Sequence, residues 1–525
     1  MSRHDRARGG RRFLGWAALS GIVSGAAFLA VAELVAFLVA RTASPILAVG
    51  SFVIDIVPQP FKEFAIATFG EYDKVVLLAG LGLAVVVASA LAGILQLVRP
   101  PLGVAILLLA GALATAATVT RTGVSALAFL PPVLGTVAAV VLLVLLRRRL
   151  VGWRDAQRAT SSRTSSSTSV DRRGFFLLAG VSAVAAIAVG VGARVASMTS
   201  SSIDAIRRAL QLPTPGSTVT IPEGAELDVP GISPLFTPNE DFYRVDTALT
   251  VPEIDPETWT LVIDGMVDQR VELSFQDLLD MGVDEYGITL TCVSNEVGGG
   301  LVGNALWLGV PIRDVLAMAG PQGGADMVLS TSIDGYTAST PLSSLTDDGI
   351  DAILAVGMNG EPLPLEHGFP VRMVVPGLYG YVSATKWVTE LKVTTFADDE
   401  AYWTPRGYSA EAPIKFSSRI DTPRVGTPVQ AGTVPIAGMA WAQTVGIERV
   451  EVRIDEGDWQ EATLSTAVND DTWVQWFLEW QAEPGTHYIT ARAVNKDGET
   501  QVEERAPIAP DGSTGWQRPL ITVTG

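Results

Sequence analysis

The sequence predicts a multi-domain protein in which an all-α transmembrane anchor is followed by an α+β domain and then by an all-β sandwich. Long apolar stretches are confined to residues 1–196, the next part mixes helical and extended patterns, and the last part alternates apolar and polar residues. The charge changes at the same boundary. Residues 1–196 hold 19 Lys and Arg against 8 Asp and Glu, a net +11, whereas the remainder holds 18 against 47, a net −29.

Five stretches in the basic part are long enough to cross a hydrocarbon core, which takes roughly 20 helical residues. Arginines cluster before the first stretch and after the fourth, and such clusters stay in the cytoplasm. We therefore predict a multi-pass protein of the cell membrane, with a cytoplasmic N-terminus and an extracytoplasmic domain after the fifth crossing. The predicted crossings are residues 13–40, 75–98, 102–119, 126–146 and 175–195.

The polar and proline residues of this anchor limit the functions that it can have. The segment Ile46 to Phe69 is mildly apolar but contains Pro58 and Pro60, so we expect an external loop or an interfacial piece. Glu33 is the acidic residue well inside a predicted crossing. It is either a functional carboxylate or a group bonded to a neighbouring helix. The predicted crossings contain no histidine, which excludes a haem held there by paired imidazoles.

Residues 159–169 have the Ser- and Thr-rich composition of a linker. The following run at 171–177, Asp-Arg-Arg-Gly-Phe-Phe-Leu, resembles a twin-arginine export signal. The alternative is an ordinary basic flank of the fifth helix. An export signal of this kind implies that the outer part crosses the membrane already folded, as proteins do when a cofactor must first be inserted.

The acidic part is predicted to contain a lead-in linker at 197–238, an α+β domain at 239–411 and an immunoglobulin-like sandwich at 412–525. In the first domain we predict strands at Trp259–Ile263 and Met373–Pro376, and helices at Phe275–Met281 and Ile312–Ala319. In the second, strict alternation predicts strands at Val450–Ile454 and His487–Ala493.

The composition excludes several kinds of site. A strongly acidic outer part is unsuited to nucleic acid, whose phosphates require clustered Lys and Arg. One cysteine, Cys292, excludes a disulfide within the chain and any thiolate-rich metal site. The histidines are His4, His367 and His487, which leaves little room for an imidazole cluster.

Cys292 follows a β-rich run and precedes the glycines Gly298, Gly299, Gly300 and Gly303. A lone cysteine in an apolar run is most often a small buried hydrophobe. The glycine-rich loop favours a second interpretation, because it permits close backbone approach to a ligand. A thiolate suits a soft metal centre whose other ligands come from a cofactor.

Four motifs in order resemble the sulfite oxidase family of molybdenum enzymes, from about Asn239 to the C-terminus. They are Asn239-Glu-Asp-Phe-Tyr-Arg244, the pair Cys292 and Asn295, the run from His367 to Gly377 with Ala384-Thr-Lys-Trp387, and a C-terminal set that includes Ala437-Gly-Met-Ala-Trp441. The C-terminal set resembles the family's dimerisation domain and implies a homodimer.

The resemblance implies a molybdenum–molybdopterin cofactor with Cys292 as its metal ligand, and no haem. Cys292, Arg244 and Asn295 are the implied catalytic residues. Arg372 would offer a bidentate fork to the pterin phosphate, Lys386 a point charge and His367 a ring donor. The implied cofactor-binding residues are Asn239, Tyr243, Arg244, Cys292, Ser332, His367, Arg372, Ser383, Ala384, Thr385 and Lys386.

The loop sequence also bears on the substrate. In sulfite-oxidising members arginines follow the Cys-x-x-Asn element, whereas Glu296 and glycines follow it here. A carboxylate beside the metal would repel a doubly charged anion, so the expected substrate is small and neutral, such as a sulfoxide. The alternatives are sulfite oxidation proper and a cofactor-free binding module. Electrons would pass to or from an external redox partner in the membrane, either a cytochrome or a quinone-linked protein.

Overall fold

The computed structural model describes residues 3–39, 45–57, 61, 68, 73–120, 127–159, 172–185 and 201–525. These residues form two compact units. One lies within Met1–Ser201 together with Ala248–Thr250, and the other comprises Ser202–Thr247 and Val251–Gly525.

The first unit is helical. Four of its helices contain segments long and apolar enough to cross a membrane, namely Arg12–Leu38, Val76–Val98, Leu102–Val119 and Leu130–Gln157. Each overlaps one of the first four predicted crossings, and the fourth extends to Gln157, beyond its predicted end at residue 146. The helices are α1 (Arg3–Val39), α2 (Pro45–Ile56), α3 (Asp73–Val98), α4 (Leu102–Val119), α5 (Leu130–Ala159) and α6 (172–185).

The described residues of this unit differ from one prediction and leave another open. The segment expected as a loop or interfacial piece contains α2, a helix of 12 residues, because its apolar run before Pro58 has no helix breaker. The fifth predicted crossing begins in α6, but residues 186–195 lie outside the described part of the chain. That crossing stays a prediction.

Helix α1 packs against α3 and α5. Small residues allow the close approach, since a side chain at Gly21 would collide with the Ser89 carbonyl and one at Gly93 with the Ala17 carbonyl. Such small-residue contacts are the usual means by which apolar helices associate in lipid. Glu33 is half-buried in α1 and has an interaction partner.

Apart from its first residue, α7 (Ser201–Ala209) belongs to the second unit, which continues into an α+β region with two sheets. The first sheet has the order β2-β1-β10-β5-β6, in which β1 and β10 are parallel and the other neighbours are antiparallel. Its strands are β1 (Thr260–Gly265), β2 (Val271–Ser274), β5 (Met327–Ser332), β6 (Thr337–Pro341) and β10 (Val388–Thr394).

The second sheet is antiparallel, with the order β3-β4-β7-β8, and β9 also pairs with β7. Buried side chains from this sheet, with Trp307 and Ile353 among them, form a hydrophobic core with Phe242 and Phe369. Its strands are β3 (Asp284–Thr291), β4 (Val302–Pro311), β7 (Ile353–Met358), β8 (Glu361–Pro362) and β9 (Arg372–Val374).

Short helices connect these strands. Helix α8 begins with a capping box, in which Ser274 and Asp277 exchange side-chain and backbone hydrogen bonds. The predicted helix Ile312–Ala319 is confirmed and ends at Gly320 in a left-handed conformation. The helices are α8 (Phe275–Asp280), α9 (Ile312–Ala319), α10 (Leu342–Thr346), α11 (Gly380–Ser383) and the 3-10 turns Leu365–His367 and Thr404–Arg406.

The remaining strands form two further sheets, with the orders β11-β13-β17-β16 and β12-β19-β18-β14-β15. One hydrophobic cluster contains Ile436 and Trp476 from the first and Val450 and Ile489 from the second, so the two sheets share a core. The strands are β11 (Ser417–Thr422), β12 (Val429–Gln430), β13 (Gly432–Trp441), β14 (Ile447–Ile454), β15 (Gln460–Glu461), β16 (Thr463–Leu464), β17 (Val474–Ala482), β18 (Gly485–Asn495) and β19 (Leu520–Thr524).

The segment predicted as a lead-in linker is packed against the fold from residue 210 onward, where Leu210 lies against the core of the second sheet. Leu235 is buried in a cluster with Val302, Met439 and Trp473. The Trp473 indole donates a hydrogen bond of 2.6 Å to the Leu235 carbonyl. Residues 210–238 are therefore part of the folded unit, because their scattered apolar side chains meet surfaces that lie far away in sequence.

Candidate active site

A cavity in the second unit collects seven of the twelve residues predicted for the site. The seven that line it are Tyr243, Cys292, Ser332, His367, Arg372, Ala384 and Lys386. Five predicted residues do not line it, namely Asn239, Arg244, Asn295, Ser383 and Thr385.

Cys292 lies directly after β3, at the start of the loop that leads to β4. Its backbone N–H donates to the Leu301 carbonyl at 3.0 Å, which closes the base of the loop. The thiol is buried, and the Ser294 N–H points to its sulfur at 3.4 Å. Burial raises the pKa of Cys292, and the Ser294 N–H partly opposes this effect. Ligation by a cation would favour the thiolate that burial disfavours.

Asn295 organises this loop. Its side-chain oxygen accepts a hydrogen bond of 2.9 Å from the Leu301 N–H, across the glycine run. The neighbouring Glu296 is exposed and does not line the cavity. The expectation that its carboxylate stands beside the thiol is therefore wrong, because the loop turns that side chain to solvent.

Arg372 is a buried guanidinium at the start of β9. It donates to the carbonyls of His367 at 3.1 Å and Met373 at 3.3 Å, and it lies over the Trp307 ring. Within the described part of the chain no carboxylate forms an ion pair with it. Burial lowers its pKa to about 10. A buried cation that is bonded to neutral carbonyls but not neutralised by a carboxylate provides a strong site for an anion.

His367 and Tyr243 lie next to this cation. The His367 Nε2 atom is 3.0 Å from the Asn239 carbonyl oxygen, so Asn239 reaches the site through its backbone. Burial, reinforced by Arg372, lowers the pKa of His367 to about 4, and its ring is neutral at physiological pH. Tyr243 stacks on Phe242, and burial raises the pKa of its hydroxyl.

Lys386 supplies the second cation of the lining. Its ammonium donates to Asp246 at 2.7 Å and to the Glu366 carbonyl at 3.0 Å, and it lies over the Trp387 ring. Burial lowers its pKa to about 8, and Asp246 opposes that shift. Arg244 binds the same carboxylate at 2.9 Å and is 38% exposed, outside the lining. The structure thus separates Arg244 from the role that the motif implied.

The three hydroxyls predicted to bind the cofactor differ. Ser332 Oγ is buried in the lining and has no hydrogen-bond partner among the described residues. Ser383 donates to the carbonyls of Leu378 and Tyr379, and Thr385 bonds to the Ser330 hydroxyl at 2.7 Å. Only Ser332 therefore presents an unused polar group to a ligand.

Sequence reasoning missed an aromatic wall of the cavity, formed by Tyr336, Tyr381, Trp403 and Tyr408. The rings of Tyr381, Tyr408 and Trp403 contact each other in series, with centroids 5.5 Å apart for Tyr381 and Tyr408 and 5.2 Å apart for Trp403 and Tyr408. The signal was the density of aromatic residues between positions 402 and 408. The sequence of this segment does not show that these rings line the same cavity as Cys292.

Comparison with known proteins supports the resemblance. Residues 248–403 match the family model described as "Oxidoreductase molybdopterin binding domain". Mitochondrial sulfite oxidase of Mus musculus is 32% identical over 322 residues, which are 52% of this chain and 58% of that protein. Sulfite oxidase of Arabidopsis thaliana is 27% identical over 56% of this chain and 89% of its own.

The chain is similar to sulfite oxidases of animals and plants over about half of its length. By the match to the family model, residues 248–403 form a molybdopterin-binding oxidoreductase domain, which implies molybdenum bound to molybdopterin as its cofactor. The chain spans 58% of the length of the mouse relative. Among solved structures, the sulfane dehydrogenase SoxCD from Paracoccus pantotrophus aligns with 60% of this chain and 90% of its own, at 22% identity and a TM-score of 0.49.

The cavity fits the family's cofactor. A pterin phosphate needs cationic donors, and the buried Arg372 has no carboxylate partner among the described residues. A pterin ring needs hydrogen-bonding groups, and Ser332 Oγ and His367 offer them. The described residues contain no cluster of three or more His, Cys, Asp or Glu that could hold a metal. A metal at Cys292 would therefore take its other ligands from the cofactor and solvent.

Proposed function

We propose that this protein is a membrane-anchored, outward-facing enzyme that transfers an oxygen atom at a molybdenum ligated by Cys292, to or from a small neutral substrate such as a sulfoxide. The observation that carries the proposal is the position of Cys292. The only thiol of the chain lies in the cavity that also contains Arg372, Lys386 and Ser332.

Each lining residue has a proposed part. Cys292 would hold the metal, while Arg372 and Lys386 would hold the phosphate and Ser332 and His367 the pterin ring. When bound, the molybdenum group supplies two-electron oxygen-atom transfer. Because the His367 Nε2–H donates to the Asn239 carbonyl, the neutral ring leaves Nδ1 as a hydrogen-bond acceptor that adds no charge. The aromatic wall excludes water from the part of the cavity that these groups leave to the substrate.

The neutral substrate is supported by the lining rather than by Glu296. Arg372 is the one arginine of the cavity lining, and both it and Lys386 are assigned to the phosphate, which leaves no further cation of the lining for an anionic substrate. The hydroxyls of Tyr336 and Tyr381 donate to the carbonyls of Tyr381 and Ser409. Those two tyrosines can therefore offer the substrate apolar ring surface, which suits methyl-bearing neutral molecules better than a hydrated dianion.

A substrate panel tests this proposal. With an artificial electron carrier in place of the redox partner, we expect turnover of dimethyl sulfoxide or trimethylamine N-oxide. Trp403→Ala should raise the KM of that substrate about tenfold, or about 1.4 kcal/mol. Trp459→Ala, which changes an aromatic residue outside the cavity, is the matched control and should leave the KM unchanged. Efficient oxidation of sulfite with no neutral turnover would overturn the substrate assignment.

Sulfite oxidation is the second candidate. Two observations favour it, namely the similarity to sulfite oxidases of animals and plants and the exposed position of Glu296. In that case Arg372 or Lys386 would have to serve the substrate as well as the cofactor. The same panel distinguishes the two candidates.

The finer membrane topology is also a proposal. Five crossings, a cytoplasmic N-terminus and a twin-arginine signal at 171–177 would place the catalytic unit outside the cytoplasm, where a membrane redox partner could reach it. A reporter active only outside the cytoplasm, fused after Gly525, should be active. Replacing Arg172 and Arg173 by lysine should abolish that activity, whereas replacing Arg147 and Arg148 by lysine should not. Activity unaffected by the first pair would exclude the twin-arginine route.

A further inference from the structure

The loop that bears Cys292 is held from the C-terminal sheets, at a distance of more than a hundred residues along the chain. The Ser513 hydroxyl donates to the Asn295 carbonyl at 2.7 Å. Arg419 Nη1 donates to the Gly299 carbonyl at 3.3 Å. Two carbonyls of the loop therefore take their partners from residues that follow the α+β region.

Both donors are themselves held in place. Lys415 donates to the Asp511 carboxylate and to the Gly512 carbonyl, each at 2.9 Å, just before Ser513. Gly512 has a φ of +99° and lies against Tyr379, where a side chain would collide with the ring. The donor of the Asn295 contact is thus positioned by an ion pair and by backbone geometry.

Arg419 is equally constrained. It is buried, pairs with Asp421 at 2.6 Å and donates to the Ser233 hydroxyl at 2.9 Å. Its Nη1 atom is thereby held where it donates to the Gly299 carbonyl.

A third contact explains part of the glycine run. Gly298 has a φ of +80°, and a side chain there would lie 2.6 Å from the Gln517 carboxamide carbon. Gln517 Oε1 accepts a hydrogen bond of 2.6 Å from the Ile420 N–H, so it cannot easily move away. At Gly298 the missing side chain thus admits another part of this chain rather than a ligand.

We infer that the C-terminal sheet region positions the Cys292 thiol, with Ser513 as the positioning residue. The anchored Asn295 carbonyl is three residues from the thiol, and the Asn295 N–H donates to the Cys292 carbonyl at 3.0 Å. Movement of one end of this short turn therefore moves the other. This role acts within one chain and is independent of dimerisation. It rests on the proposed function only in that Cys292 is the metal ligand.

The test uses thiol reactivity of the full chain, purified without cofactor from a host unable to make it. Because Cys292 is the only cysteine, alkylation by iodoacetamide reports on this loop alone. Ser513→Ala should accelerate alkylation about fivefold, the change expected for one lost hydrogen bond that opens the loop. Ser513→Thr retains the hydroxyl and should restore the rate of the parent protein.

The control is Thr514→Val, which removes a neighbouring hydroxyl that donates to the Glu504 carbonyl instead of the loop. It should leave the alkylation rate unchanged. In protein made with cofactor, Ser513→Ala should lose molybdenum faster on dialysis than Thr514→Val does. Equal alkylation rates for Ser513→Ala, Thr514→Val and the parent protein would overturn the inference.

Failure of the proposed function gives a different result. If Cys292→Ser retained molybdenum and turnover, the thiol would not be the ligand, whatever the alkylation rates. If Cys292→Ser lost both and Ser513→Ala left the thiol reactivity unchanged, the ligand assignment would stand and the positioning role would fall.

Discussion

Replacing Cys292 by serine is expected to abolish catalysis while leaving the fold intact. Turnover should fall by at least about a thousandfold, which corresponds to about 4 kcal/mol of activation free energy. The molybdenum content of the purified protein should fall as well, because the described residues provide no other thiol or metal-binding cluster. The hydroxyl has nearly the volume of the thiol, so the free energy of unfolding should change by only about 1 kcal/mol.

Val297→Ala provides the matched control for this result. Val297 belongs to the same loop but does not line the cavity, so its truncation should leave the molybdenum content unchanged. Metal analysis, circular dichroism and turnover with an artificial carrier are the measurements. A Cys292→Ser protein with full molybdenum content and turnover within about tenfold of the parent protein would contradict the assignment.

Arg372→Gln is expected to have the second largest effect. Its effect on stability distinguishes a cofactor-binding arginine from a structural one. Cofactor content should fall at least about tenfold, because the substitution removes a charge-assisted fork of the kind that binds phosphate. If Arg372 had a purely structural role, its removal would destabilise the protein. Here the loss of two bonds to carbonyls is offset by removal of a buried charge without a carboxylate partner among the described residues. The free energy of unfolding of the cofactor-free protein should therefore change by about 1 kcal/mol or less.

Two further variants complete this experiment. Arg372→Lys keeps the charge but loses the fork, and should retain an intermediate amount of cofactor. Arg270→Gln changes an exposed arginine paired with Glu272 and should change neither cofactor content nor stability. Pterin fluorescence after release and thermal unfolding without cofactor are the measurements. Strong destabilisation by Arg372→Gln with normal cofactor content would show that this arginine is structural.

The candidate site was predictable where its residues are carried by local motifs. Cys292 and the run from His367 to Lys386 are read from short segments whose side chains stay near one another in any fold that keeps those segments intact. Even there, the motif could not say which groups face the ligand. Asn295 turns into its own loop, and Arg244 extends toward solvent from a carboxylate that also binds Lys386.

Glu296 shows most clearly how sequence proximity can mislead. It is four residues from the thiol, and at that separation a side chain in a turn can point either way. The contacts of Asn295 with Leu301 and Ser513 set the path of the backbone, and on that path Glu296 faces water. Its charge is therefore screened by solvent and separated from the cavity.

The sequence by itself determined the division into a basic helical part and an acidic part, the positions of four membrane-length helices and the resemblance to sulfite oxidases. These depend on composition and on patterns within short segments, which act through local hydrophobicity and geometry. Only the tertiary structure decided that Tyr336, Tyr381, Trp403 and Tyr408 form one wall and that Ser513 reaches the loop of Cys292. Those contacts join residues far apart in the chain, and their side-chain directions follow from the packing of whole sheets rather than from any neighbouring residue.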